Sequence, residues 1–129
     1  MRVLARGTLA FAAGLAFGLA APAMAQSKPL VKNQALMDNT RYCSSLVNSM
    51  LRSYEAKGEK QPDRLLLFSF GFANRLTGFP PEVKITKTWD ELKVITDKQV
   101  AEQPDVARKR ITICWERLNS EPAPDDLFQ

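Results

Sequence analysis

The sequence predicts an all-α fold, a small four-helix bundle-like domain whose first and last helices are joined by a disulfide. Three observations carry this. Apolar residues recur at spacings of three and four in separate windows, the signature of helical faces turned to a core. Proline, capping residues and glycine punctuate those windows where helices start and stop. The only two cysteines, Cys43 and Cys114, lie on the apolar stripes of the first and last windows.

Residues 1–25 read as a cleavable signal peptide. Arg2 and Arg6 form a basic n-region, Leu9–Ala21 is apolar, and Ala23–Met24–Ala25 presents small residues for cleavage before Gln26. At 13 residues the apolar run falls short of the roughly 20 needed to span a bilayer. The alanine-rich style points to bacterial export into the periplasm. Cleavage leaves 104 residues, enough for one domain over 26–120. It also leaves sixteen basic residues against fourteen acidic ones, so the charge balance does not call for a nucleic-acid partner.

The first helix is read over Leu36–Lys57. Cys43, Leu46, Val47, Met50, Leu51 and Tyr54 make one stripe, and Gly58 ends the helix. The second covers Pro62–Thr77, with Pro62 at its first position and Asp63 at the positive end of its dipole. Thr77–Gly78 and Pro80–Pro81 close it. Phe68, Phe72 and Leu76 form one stripe; Leu66, Phe70 and Ala73 form another. Apolar residues around most of the circumference predict that this helix occupies the centre of the bundle, packed by the first and last helices. Any part of Phe70, Leu76 or Phe79 left uncovered is then the candidate partner-binding surface, with Arg75 breaking its apolar character.

Residues 82–87 alternate Val83 and Ile85 with polar neighbours, as a short extended stretch or a linker would. Thr88–Trp89–Asp90–Glu91 is a capping box opening a third helix, along which Leu92, Ile95 and Val100 keep helical spacing. Gln103–Pro104–Asp105 opens the fourth. There Ala107, Ile111, Cys114, Trp115 and Leu118 face inward, leaving Arg108, Lys109, Arg110 and Arg117 as a solvated basic face. Residues 121–129, EPAPDDLFQ, show no periodicity and are read as a flexible acidic tail.

In an oxidising compartment the cysteine pair reads as a structural disulfide. Closing a loop of this length stabilises by about 4 kcal/mol in the chain-entropy model.

The sequence contains no histidine, which removes the commonest general base and the usual partner of a nucleophile. No phosphate loop, nucleophile elbow or haem motif is present, and neither a metal nor a cofactor is called for. Asp63, Asp90 and Glu91 are accounted for by helix starts.

The run GFANRLTG, the capped helix after it and QVAEQPDVARKRITICW together resemble small periplasmic helical immunity proteins. The resemblance covers most of Leu65–Trp115: an aromatic-glycine-aromatic helix, a proline-containing break and a final helix carrying cysteine. This chain departs from that type in having a single cysteine pair and no cysteine beside the aromatic helix. No functional residue is carried across.

The expectation is therefore a non-enzymatic exported domain that binds a periplasmic protein or a small ligand, in an accessory, inhibitor or immunity-type role. A membrane-surface or holdase-like protein is the alternative, and an enzyme with an unrecognised carboxylate site a further one.

Overall fold

The computed structural model describes residues 33–129; the predicted signal peptide and the mature start at Gln26 lie outside them. Four helices make up the described chain: α1 over residues 33–56, α2 over Asp63–Thr77, α3 over Trp89–Glu102 and α4 over Pro104–Asn119. The fold class agrees with expectation, and the disulfide joins α1 to α4 with the Cα atoms of Cys43 and Cys114 6.0 Å apart.

The local signals act much as their chemistry predicts. Thr88 caps α3 through the reciprocal pattern: its hydroxyl accepts from the Glu91 N–H, and the Glu91 carboxylate accepts from the Thr88 N–H. Pro104 is the first residue of α4, where its missing N–H costs nothing. Pro62 sits one place earlier than expected, as the extended N-cap of α2, and its ring is fully buried. At the end of α1, Gly58 adopts a positive φ of 72° that a Cβ would oppose.

The centre of the bundle differs from the prediction. It is α1, not the phenylalanine-rich α2, that is enclosed. Cys43, Leu46, Val47, Met50 and Leu51 are buried as foreseen, but so are Thr40, Arg41, Ser44, Ser45 and Ser49 on the remaining sides. Ser45 and Ser49 find partners on α3, Arg41 donates to the Lys87 carbonyl before it, and Thr40 turns back to the Leu36 carbonyl. Thr96 Oγ1 lies 2.8 Å from Ser45 Oγ and 2.7 Å from Ser49 Oγ; because Ser49 gives its proton to Asp97, Thr96 donates to Ser49 and accepts from Ser45. A buried hydroxyl is tolerated once it is hydrogen-bonded, so this polar seam packs like an apolar one. It also decides the face of α3. Leu92, Thr96 and Val100, four apart, turn to α1, and Ile95 from the expected stripe stands exposed.

Helix α2 accordingly lies on the outside. Leu65, Phe68 and Phe72 enter the core, where the Phe68 ring meets Trp115 of α4 at 5.0 Å, edge to face. The second predicted stripe divides: Leu66 is half-buried against the core, while Phe70 and Ala73 face solvent.

The connection 82–87 forms no strand. It is a strap across the N-terminal part of α1, tied by Gln34, whose amide donates to the Lys84 carbonyl and accepts from the Lys84 N–H at 2.8 and 2.9 Å. The C-terminal segment is not the free tail expected. Leu127 is 2% exposed within the core, Asp126 pairs with Arg64 at 2.6 Å, and the Phe128 carbonyl accepts from Tyr54 Oη. The acidic, proline-rich composition concealed one turn that carries two apolar residues back onto α1 and α2.

Candidate functional site

The outer face of α2 is built by simple helical geometry. Three consecutive leucines, 65 to 67, span about 200° of arc at 100° per residue, so they cannot all face one core. Leu65 takes the buried position; Leu67 is left outside, one turn before Phe70. Both side chains are 68% exposed, the largest apolar groups on this surface. Ala73, Asn74 and Thr77 continue the same exposed face toward the helix end.

The four residues expected to meet a partner separate into distinct roles. Phe70 is open to solvent, as a contact residue requires. Leu76 is half-buried and packs against the core cluster. Phe79, beyond the helix, is half-buried. Arg75 is already engaged. It folds back along α2, its guanidinium carbon 5.9 Å from both the Phe68 and Phe72 rings, and donates through Nη2 to Asn119 Oδ1 on α4. Gly71 gives it passage: a Cβ at that position would meet Arg75 Nη1 at 2.7 Å. Arg75 is thus a brace between α2 and α4. Leu67 was missed in the sequence, although the leucine triplet was the signal that exposes it.

Elsewhere Asp97 gathers the densest set of charged contacts. Asp97 accepts from Ser49 Oγ at 2.6 Å and from Arg52 Nη2 at 2.7 Å, and Lys93 lies 3.3 Å away. Burial alone would raise its carboxyl, but the hydrogen bonds from Ser49, Arg52 and Lys93, with the Arg52 charge, outweigh that and hold it below the ordinary 3.8. Beside it an open cleft of about 390 Å³ runs over Met50, Val100, Ala101 and Pro104. Its rim cations Arg52 and Arg108 are bound to Asp97 and Asp105. In the basic face of α4, Arg110 donates to Tyr42 Oη at 3.5 Å, while Lys109 and Arg117 are exposed.

Among the described residues no three His, Cys, Asp or Glu side chains converge to hold a metal ion. None of the described helices is long and apolar enough to cross a membrane. Comparison with protein-family models, curated proteins and solved structures gives no match to this chain.

Proposed function

We propose that this chain is an exported, non-catalytic helical module that binds another protein through the outer face of α2. The observation that supports this is the pair Leu67 and Phe70. They are large apolar side chains, one turn apart, fully solvated on a helix whose opposite face is core. A helical aromatic-aliphatic pair of this kind is a familiar anchor for a partner's groove, and phenylalanine is enriched at interface centres. The oxidised cysteine pair suits an exported protein in the periplasm. The non-catalytic reading draws support from a chain without histidine, whose thiols are bonded and whose Glu91 and Asp126 serve a cap and an ion pair. An accessory, inhibitor or immunity-type role fits such a module.

The test is affinity capture from periplasmic extract with the wild type and with Leu67→Ser/Phe70→Ser. A protein retained by the first and lost by the second, with the melting temperature unchanged, is the expected result. Capture that is indifferent to the double substitution would overturn the reading. Flotation of the wild type with liposomes, or suppression of a client's aggregation, would move the same face to the membrane-surface or holdase alternative.

A further inference from the structure

Arg41 is a buried cation that makes no ion pair among the described residues. Its side chain belongs to the central helix and is 3% exposed. Its guanidinium stacks 4.4 Å from the Trp89 ring and donates through Nη1 to the Lys87 carbonyl. These contacts fix the plane of the fork but leave its charge unneutralised. A buried charge is costly unless it is paired, and a guanidinium fork is shaped to take two oxygens of one carboxylate.

The group borders a pocket of about 310 Å³ between α1, the strap and α3, shared with Asp38, Tyr42, Thr86, Lys87, Leu92 and Ile95. The acid in this lining, Asp38, makes no ion pair with Arg41: its Oδ1 accepts from the neutral groups Gln34 Nε2 at 3.0 Å and Thr86 Oγ1 at 3.2 Å. Tyr42 Oη is likewise spent on Gln99. The lining therefore sets two cations, Arg41 and Lys87, against the single carboxylate of Asp38, beside an apolar wall of Leu92 and the half-turned Ile95.

From this juxtaposition we infer that the pocket binds a small organic carboxylate with an apolar body. The carboxylate lies on the Arg41 fork, Lys87 adds a second positive charge at the rim, and the hydrocarbon part covers Leu92 and Ile95. Trp89, at once the floor under Arg41 and part of the surface, reports on occupancy. The site lies on α1 and α3, apart from the α2 face, and does not depend on the partner-binding proposal.

The experiment uses the purified protein labelled with ¹⁵N and titrated at constant ionic strength with sodium phenylacetate up to about 10 mM. Its neutral counterpart, 2-phenylethanol, and inorganic phosphate are titrated in parallel. Saturable shifts of the Arg41 Nε–H and Trp89 indole N–H signals are expected with phenylacetate, with at least about tenfold weaker responses to both controls. Lys87→Gln, a substitution at an exposed side chain, should weaken phenylacetate binding about three- to tenfold without lowering the melting temperature. Arg41→Lys keeps the charge and removes the fork, and should abolish saturation. If Arg41→Lys proves unstable, the Lys87→Gln comparison decides. An equal response to phenylacetate and phenylethanol, an equal response to phosphate, or no saturable shift at either signal overturns the inference.

Discussion

Replacing Thr96 with valine keeps the shape of the side chain and removes one hydroxyl from the seam between α1 and α3. Thr96 is 0% exposed, and its Oγ1 is the partner of Ser45 Oγ at 2.8 Å and of Ser49 Oγ at 2.7 Å. The two serines suffer unequally. Ser49 retains Asp97 at 2.6 Å and Arg52 at 3.0 Å, whereas Thr96 Oγ1 is the one partner of the Ser45 hydroxyl among the described residues. The substitution thus strands one buried hydroxyl and weakens a second. A lost hydrogen bond costs about 1 kcal/mol and an unsatisfied buried group about 1–3 kcal/mol, so Thr96→Val should destabilise by about 2–3 kcal/mol. Ser45→Ala alone leaves Thr96 donating to Ser49, and should cost about 1 kcal/mol. The double variant removes both ends of the orphaned contact and should lie within about 1 kcal/mol of the wild type. Urea unfolding followed by circular dichroism, with the m-value held constant, measures all four corners of this cycle. Single-variant costs that add to the double within about 0.5 kcal/mol would refute the seam as a coupled element.

Other consequences are equally direct. Asp97 has a depressed native pKa, so the native state holds its proton less tightly than the unfolded chain; its contribution is present above 3.8 and lost as pH falls below it. Asp97→Asn should make the acid-side fall in stability shallower below about pH 4, an effect kept small by the group's partial exposure; an unchanged acid limb in pH-dependent melting would contradict this. Reducing the Cys43–Cys114 bridge opens a 71-residue loop and should cost about 4 kcal/mol, lowering the melting temperature by roughly 20 °C; two titratable thiols in the denatured, unreduced protein would exclude the bond. Leu127→Ala should cost about 2–5 kcal/mol, as a fully buried leucine does, whereas a cost below about 0.5 kcal/mol in urea unfolding would show that the C-terminal turn is not docked.

Much of the architecture was legible because local chemistry dictated it. The Thr88–Glu91 box, Pro104, Gly58 and the stripes through Cys43 and Cys114 each need only neighbours three or four residues away. What periodicity misjudged was a competition between faces. An apolar circumference on α2 suggested the bundle's centre, but serines cost α1 nothing once Thr96 satisfied them, and a chain cannot display that pairing 51 residues apart. Leu127 was hidden for a similar reason: a single buried leucine in an irregular segment has no period to detect. The site was half legible. Phe70 could be named, but Arg75 looked available because its hydrogen bond to Asn119 spans 44 residues. Arg41 gives no signal in the sequence, because the strap and Trp89 that enclose it lie far along the chain.

The placement of α1 also bears on how the molecule can be made. The helix to be enclosed is the first of the described helices, and its covers arrive in order behind it, down to Leu127. Cys43 must likewise wait for Cys114. A polypeptide delivered amino end first, from a ribosome or through a translocation channel, can therefore form isolated turns early but cannot complete its interior until Leu127 emerges. Partial chains present an uncovered α1 throughout that interval, with serines and a guanidinium among its apolar groups to keep it hydrated. The same polar residues that help pack the finished bundle make its unfinished form compatible with water.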